Sequence, residues 1–588
     1  MTTFTTPTKH DRPAGTHFAE PRPRHRAVLA RGSWRRVTRR IVCGLACALT
    51  VSSLLMPSIS FAAEWVDVGG TQYNAGTAAG DDAGTWSWDG ADDMKLNGYD
   101  GGAINAAGKL NIVYEGKNTV KTEPDYTGAA IKAQDGTNQK AELNITSSNS
   151  TDELNVTAEA DAIKSTGDLS ISGPGTVNTT STNSDGIEAK GDLSITGSGT
   201  VNATGGTEGI QSKGKTTIDS SGTVIAKGGE GYGVAAGSDL IIKGGGKVEA
   251  SSIGKAAIWT KDDINISGGS QVKASSEEDC AVKAIGSLTV TNASLNAHGV
   301  GYGVYAYKGI TLDHATVTVR AAAERDDVSA LFTDEDDIVI KNGSIVDAFA
   351  EGEFSTAIST RNYNPNEAGG HIYISDSVVK AIARYAEIGG DGPACYSGDQ
   401  DGEITPERRG VNIGIFAQTS EGIMPATISI VRSTVTAEGD TAAIFALAMS
   451  ADGKAIGTIE IEGASILTPE GGKVIDYRHK EELSDGTVYE AGQTIGTGDA
   501  VIDSPYDDAV AKRAVIAPSE ETKPEDSKPD SKPEGTKTTK TVATATVGAK
   551  TVGKLAATGD TSSAAIVATA LAGAAAIAAG TVASRKRS

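Results

Sequence analysis

The sequence of 588 residues lacks features that mark several protein classes. It has 17 prolines beside 72 glycines and no Gly-X-Y period, so collagen is excluded. It lacks a basic excess: the formal net charge is −22, which argues against a nucleic-acid partner because phosphate binding needs clustered Lys and Arg. No histidine spacing fits zinc and no Gly-x-Ser-x-Gly is present. With 38% hydrophobic and 22% charged residues, the chain can nevertheless bury a sizeable core.

The first 62 residues carry the pattern of a secretory signal peptide. Residues 1–40 hold ten Lys and Arg against two Asp and Glu, and an uncharged apolar stretch follows over 41–62. This stretch ends in Ser60-Phe61-Ala62, which puts small residues where a signal peptidase reads, so we expect cleavage after Ala62. Two arginine pairs precede the apolar stretch and leave Sec and Tat export both open. The sequence therefore predicts a secreted protein.

Residues 555–588 combine a pentapeptide, an apolar segment and a basic end. The pentapeptide consists of Leu555, Ala556, Ala557, Thr558 and Gly559. The apolar segment, 564–583, is long enough as a helix to span roughly 30 Å of bilayer. Basic residues at 585–587 would hold the end of such a transmembrane helix in the cytoplasm.

This order resembles the cell-wall sorting signals of Gram-positive surface proteins, in which Ala replaces the usual Pro in some high-GC, actinobacterial-type bacteria. The resemblance implies that a sortase cuts between Thr558 and Gly559 and joins Thr558 covalently to peptidoglycan. The precursor would be held transiently in the plasma membrane, and the mature protein would be anchored in the cell wall. Ala556 stands where Pro is usual, which leaves the sortase class open.

Internal repetition dominates the middle of the chain. In each repeat, apolar residues alternate with polar ones in short runs, which is the period of a β-strand. One inward position recurs at spacings of 22 to 24 residues, at Ile163, Ile187, Ile210, Val234, Ile258, Val282 and Val304. Leucine-rich repeats need Leu and Asn at fixed places that these repeats lack, and propeller blades have a longer period, so neither fits.

Three two-sided strands with glycine-rich corners in each repeat predict an all-β fold, a single long right-handed parallel β-helix. We expect about thirteen coils of ~24 residues between Leu110 and Ile466, each stacked on the coil below. The expected domains are an N-terminal cap over 63–107, the β-helix over 108–469, a C-terminal cap over 470–516, a disordered wall linker or stalk over 517–554, and the sorting signal over 555–588.

The repeats also resemble a family of bacterial surface β-helix proteins that is described as carbohydrate-binding. The motifs that carry this resemblance are Ala-Asp-Ala-Ile-Lys-Ser at 160–165, Asp-Gly-Ile-Glu-Ala-Lys-Gly-Asp-Leu-Ser-Ile at 185–195, and the opening segments 86–89 and 98–104. The resemblance implies glycan binding, and it brings no set of site residues with it.

A stripe of aromatic residues is the candidate ligand-binding site. In the later coils, the residue after the inward Ile, Leu or Val is aromatic at Trp259, Tyr305, Phe332, Phe416 and Phe445. Such rings could stack on successive units of a glycan or contact a surface protein. Alternatively, the inserts 361–370 and 382–413 cover the stripe and make it a second small core.

One acidic loop could bind a metal ion, and one pair of cysteines could form a disulfide. Asp399, Asp401 and Glu403 match alternate positions of a calcium loop, although Arg408 stands where the bidentate Glu belongs. We otherwise expect no cofactor. Export would allow a disulfide between Cys280 and Cys395, although two buried thiols fit the sequence equally.

We interpret the chain as a cell-wall-anchored binding protein, an adhesin or a receptor for a host or microbial glycan or surface protein, and not as an enzyme. A carbohydrate-active enzyme, either a polysaccharide lyase or a glycoside hydrolase, is the alternative, with the acid pairs Asp334/Asp336 and Asp376/Asp391 available for it. A passive structural wall protein is a third interpretation. We interpret one column of corner residues as a polar ladder that satisfies turn backbones, namely Asn292, His314, Asn342, Asp376 and Arg432.

Overall fold

The computed structural model describes residues 62–137, 140–323, 327–362, 369–386, 411–420, 425–449, 457–478, 481–482, 488–489, 492–493, 499–504 and 509–519. Within these ranges, no helix is long and apolar enough to cross a membrane. The predicted signal peptide up to residue 61, the sorting signal with its segment 564–583, the calcium loop and Cys395 lie outside them.

The described residues form β-strands arranged as a parallel β-helix, which confirms the predicted fold class. Each coil contributes one strand to each of three sheets, called here sheets I, II and III in chain order. In the described part of the chain, thirteen complete coils run from Asp93 to Met449, and an incomplete one follows over 458–468. The coils are numbered 1 to 13 from Asp93.

The strands of each sheet are named here from coil 1 onward. The strands of sheet I are Asp93–Asn97, Lys109–Glu115, Glu142–Ser147, Asp168–Ser172, Leu193–Gly197, Thr216–Ser220, Leu240–Lys243, Ile264–Ser267, Leu288–Thr291, Ile310–Asp313, Ile338–Lys341, Ile372–Ser375, Thr427–Val431 and, in the incomplete coil, Thr458–Glu462. Those of sheet II are Asp100–Gly101, Lys117–Lys121, Glu153–Ala158, Thr176–Ser181, Thr200–Gly205, Thr223–Gly228, Lys247–Ser252, Gln271–Ser276, Ser294–Gly299, Thr316–Ala322, Ile345–Gly352, Val378–Tyr385 and Thr434–Glu438. Those of sheet III are Ile104–Ala107, Ile131–Gln134, Ile163–Ser165, Ile187–Ala189, Ile210–Ser212, Val234–Ala236, Ile258–Thr260, Val282–Ala284, Tyr302–Ala306, Asp327–Thr333, Phe354–Asn362, Asn412–Ser420 and Ala442–Met449.

Inward columns of aliphatic side chains form the core. Leu143, Leu169 and Leu193 occupy the same register in successive coils of sheet I, and each is at most 1% exposed. Full burial of one such side chain contributes about 1.5–3 kcal/mol, but only when a neighbouring coil covers it. The period-two alternation therefore gives every coil a buried inner face and a polar outer face.

The corners between sheets I and II shorten midway along the chain. The early corners contain glycines at positive φ, such as Gly173 and Gly197. From coil 9 onward the corner loses one residue and turns on a single non-glycine residue with φ between 44° and 57°, at Asn292, His314, Asn342, Asp376 and Arg432. Corner side chains of neighbouring coils also bind each other. Arg432 in coil 13 donates to both carboxylate oxygens of Asp376 in coil 12, at 2.8 and 2.7 Å.

Antiparallel strands close the N-terminal end. Trp65–Val68 pairs with the sheet III strand of coil 1, and Trp86–Trp88 pairs with its sheet I strand. Two further strands, Thr71–Asn74 and Ala79–Gly80, pair with these two. The N-terminal cap was expected over 63–107. Asp93–Asn97 runs parallel to coil 2, so coil 1 of the β-helix lies within that range.

The C-terminal end is closed by reversed strands. Arg513–Pro518 lies antiparallel between the sheet II strand of coil 13 and Ala464–Thr468. Asp499–Ser504 pairs antiparallel with both Ala442–Met449 and Val474–Arg478. The remaining short strands at this end are Glu481–Glu482, Val488–Tyr489, Gly492–Gln493 and Ala509–Val510.

Truncation of one inward side chain tests the stacked core. Ile266 in coil 8 is 1% exposed, so Ile266→Ala should lower the free energy of unfolding by about 2–4 kcal/mol, because neighbouring coils cannot close the cavity. Its neighbour Asn265 faces outward, and Asn265→Ala should change it by less than about 0.5 kcal/mol. Urea unfolding of both variants measures the difference. Equal losses would contradict the assigned inner and outer faces.

Candidate functional site

The outer face of sheet III carries the aromatic stripe in two separate clusters. The first cluster joins Trp259, Tyr305 and Phe332 with three further rings, Tyr232, Tyr302 and Tyr307. Trp259 stacks on Tyr232 with ring centroids 5.2 Å apart and planes 21° apart. Both rings are half-buried, whereas Tyr305 and Phe332 are only 8% and 5% exposed. Trp259 is thus the one member of the predicted stripe with an accessible ring.

The second cluster contains Phe416 and Phe445, whose ring centroids lie 5.7 Å apart. Each ring is 7% exposed, and they pack with the fully buried Val501, which comes from the C-terminal end of the chain and pairs with Phe445. A ligand that stacked on these two rings would have to displace the strand that contains Val501. Four of the five predicted rings therefore pack against protein.

Three rings of the first cluster, Tyr232, Tyr302 and Tyr307, are not among the residues predicted from the sequence. Tyr232 and Tyr302 lie two residues before the inward valines of coils 6 and 9. A recurring signal was present, since both belong to the tetrapeptide Gly-Tyr-Gly-Val, at 231–234 and 301–304. The stripe thus has two parallel columns of positions, one on each side of the inward residue.

In coils 3 to 5 the same columns are charged. Asp161, Asp185 and Glu188 are each at most 6% exposed, with carboxylate oxygens close enough together to hold a metal ion. Lys164 already lies among them, with its Nζ 2.6 Å from Asp161 Oδ2 and 2.5 Å from Glu188 Oε2. The carboxylate of Asp185 also accepts hydrogen bonds from the next coil, from the Thr207 hydroxyl and the Glu208 amide. These groups therefore bind each other and adjacent coils.

The two aspartates of this cluster have opposite pKa shifts. Burial, opposed by the hydrogen bond from Thr207, raises the pKa of Asp185 to about 7, and the nearby Glu208 adds to the rise. Burial acts in the same direction on Asp161, but Lys164 and Ser184 outweigh it and lower the pKa of that carboxyl. Asp185 is therefore largely protonated in weakly acidic solution, while Asp161 stays ionised.

A concave groove lies on the outer face of sheet I in coils 3 to 6. Its volume is about 310 Å³, and it is lined by Glu142, Asn144, Asp168, Ser170, Asp192, Ser194, Lys215 and Thr217, with the edges of Leu169 and Leu193. A volume of this size is in the usual range for small-molecule sites. The sequence reasoning did not identify this groove, although its residues follow the same period-two alternation as the core.

The floor of the groove presents a row of available hydroxyl groups. Ser170, Ser194 and Thr217 occupy one register position in successive coils, so they are spaced about 4.8 Å apart. All three are half-buried, and no hydrogen-bond partner for their hydroxyls is present among the described residues. Asp168 and Asp192 flank this row, each held by a backbone amide of the following coil at 2.9 Å. The groove can therefore donate and accept hydrogen bonds at regular intervals.

One member of each acid pair considered for catalysis is held by neighbouring side chains. Asp334 accepts hydrogen bonds from Arg361 Nε at 3.1 Å and from the Tyr305 hydroxyl at 3.2 Å. Asp376 is the ion-pair partner of the corner residue Arg432. Asp391 lies outside the described residues, so the second pair is not formed within them. Cys280 is buried in the first aromatic cluster, and Cys395 lies outside the described residues, so the choice between a disulfide and two thiols is not tested.

Residues 99–236 match the model of a family described as "Carbohydrate-binding domain-containing protein". The match includes the motifs at 160–165 and 185–195 and supports the resemblance to carbohydrate-binding proteins. It covers the whole groove and ends before Trp259, so none of the five predicted stripe residues lies within it. No curated protein and no solved structure matches the chain.

Asp185 should make the stability of the protein depend on pH. Between the unfolded pKa near 4 and the folded value of about 7, the folded state binds the extra proton, so stability falls as pH rises through this window. Asp185→Asn keeps an acceptor without the charge. It should raise the melting temperature by a few degrees at about pH 8, and by less at about pH 5.

Asp161 provides the control with the opposite sign. Its pKa is lowered, so its stabilising contribution is present above the unfolded value of 3.8 and is lost as pH falls through the folded value. Asp161→Asn should therefore lower the melting temperature at neutral pH and have little effect in strong acid. Parallel pH profiles of the two variants would contradict the opposite environments assigned to these carboxyls.

Proposed function

We propose that the chain is a surface-displayed protein that binds glycans through the sheet I groove of coils 3 to 6, without acting on them as a catalyst. The family match is the observation that carries the proposal, because it covers the groove residues from Glu142 to Thr217 completely. The groove also combines a volume of about 310 Å³ with the hydroxyls of Ser170, Ser194 and Thr217, which have no hydrogen-bond partner among the described residues.

The chemistry of the groove fits a hydroxyl-rich ligand. Carboxylates accept hydrogen bonds from sugar hydroxyls, and serine and threonine hydroxyls both donate and accept them. Because Ser170, Ser194 and Thr217 repeat at about 4.8 Å, an extended oligosaccharide along the coil axis would meet the same group at each step. Lys215 is the only basic residue lining the groove, against three carboxylates, so we expect neutral glycans to bind better than polyanionic ones.

A groove-filling variant with a matched control tests this site. Ser194→Ile removes a hydroxyl and fills the floor, and the column already accommodates an isoleucine at Ile241. It should weaken binding of the full-length protein to neutral glycans on an array by about tenfold or more, which is about 1.4 kcal/mol. Thr289→Ile, in coil 9 of the same face, should leave binding unchanged.

Other outcomes distinguish the alternatives. Equal binding by the Ser194→Ile and Thr289→Ile variants would exclude the groove as the binding site. Release of reducing ends or of unsaturated sugars from a polysaccharide panel would contradict the proposal of binding without catalysis. Including calcium and a chelator in parallel shows whether binding needs a divalent cation, as the loop at Asp399, Asp401 and Glu403 would imply.

The two ends of the chain support display on a Gram-positive cell wall. The proposed route is export, cleavage after Ala62, and sortase transfer of Thr558 to peptidoglycan. Deletion of 555–559 should move the protein from the wall fraction to the membrane or the medium. Deletion of the linker residues 545–549 is the control of equal size and should leave the protein in the wall fraction. Wall attachment of both deletion variants would contradict sortase anchoring.

A further inference from the structure

The aromatic column on sheet III is interrupted at two coils, by Lys283 in coil 8 and by Ser359 in coil 11. Phe332, Ser359 and Phe416 occupy the same register position in coils 10, 11 and 12. Because serine does not fill the space that its neighbours fill with rings, a small cavity of about 40 Å³ opens between the two phenylalanines. This cavity is called the slot.

The floor of the slot is a cluster of three buried hydroxyl groups. Thr356 donates to Ser359 at 2.8 Å, and Ser329 lies within hydrogen-bond distance of both, 3.2 Å from Ser359. The three residues are 2%, 2% and 7% exposed, in the order Thr356, Ser359 and Ser329. Three mutual contacts use all three hydroxyl protons, so each oxygen keeps a lone pair that can accept another hydrogen bond. The floor therefore favours a ligand that donates.

The two charged residues that line the slot, Arg361 and Asp327, are already engaged in other interactions. Arg361 donates to Asp334 at 3.1 Å, and its guanidinium carbon lies 5.1 Å from the centroid of the Phe332 ring. Asp334 also accepts the hydrogen bond from Tyr305. An ionic ligand would have to compete with these contacts, so the slot fits a neutral group.

The size of the slot limits the ligand to a small side group. A water molecule needs at least about 10–15 Å³ of such volume, so the slot accepts about three water-sized groups and is too small for a sugar ring. An acetamido group consists of a methyl, a carbonyl and an N–H. Its N–H matches the acceptor floor, and its methyl matches the faces of Phe332 and Phe416.

We propose that the slot binds the acetamido group of an N-acetylated sugar, with the sugar ring remaining outside. The site lies beyond residues 99–236 and shares no residue with the sheet I groove. The proposal therefore does not depend on glycan binding in the groove, and each site can fail separately.

Saturation-transfer NMR on the full-length protein tests the slot, with N-acetylglucosamine, glucosamine and glucose as probes. The acetyl methyl protons should receive the strongest saturation, and the other two sugars should show little. Ser359→Phe fills the slot with the ring that the neighbouring coils already carry at this position, so it should remove at least about nine-tenths of the methyl signal. Ser194→Ile, the groove variant, should leave the signal unchanged.

Two further measurements keep the test decisive. If Ser359→Phe lowers the melting temperature strongly, Ser359→Val fills part of the slot with a smaller side chain and should still reduce the methyl signal at least threefold. Binding to the glycan array reports separately on the groove. Equal saturation of all three sugars, or a methyl signal that survives both Ser359 substitutions, would show that the slot holds only water and would overturn the proposal.

Discussion

The rest of the structure depends on one constraint, the stacking of each coil on the next at about 4.8 Å through parallel backbone hydrogen bonds. A single coil cannot bury its own leucines and isoleucines, so each coil is stable only when others cover it. The same ladder fixes the register of the outward side chains. A residue on the surface therefore becomes one position in a column, and its neighbours in the column decide whether it is buried, paired or available.

The columns change character along the axis, and this divides the outer surface into regions. On sheet III, coils 3 and 4 carry the Asp161, Asp185 and Glu188 cluster, and the later coils carry rings. The charged residues form ion pairs and hydrogen bonds with each other and with turn backbones, whereas the aromatic rings pack against each other. The two candidate ligand sites occur where a column breaks this pattern. The groove presents small hydroxyls without a hydrogen-bond partner in the described part of the chain, and Ser359 leaves a space between rings.

The fold was predictable from the sequence because its cause is local and repeated. The column from Ile163 to Val304 is visible as a spacing, and the structure places these residues in one register. The burial of the rings was less predictable, because Phe445 is covered by Val501, which comes from the non-repeating end of the chain. The slot was not predicted either. In the sequence, Ser359 is only a position at which the aromatic column lacks a ring. The hydroxyl cluster that it forms with Ser329 and Thr356 becomes visible only in the structure.

The reversed strand at the C-terminal end has a mechanical consequence. Arg513–Pro518 is bonded on both sides, includes the first two residues of the predicted wall linker over 517–554, and leads into the rest of that segment. Tension applied to the chain beyond Pro518 reaches this strand first and passes through its two rows of hydrogen bonds to coil 13 and to Ala464–Thr468. Force applied through the linker would therefore detach this strand first and open the β-helix from its C-terminal end. The groove in coils 3 to 6 would be among the last parts to be disturbed.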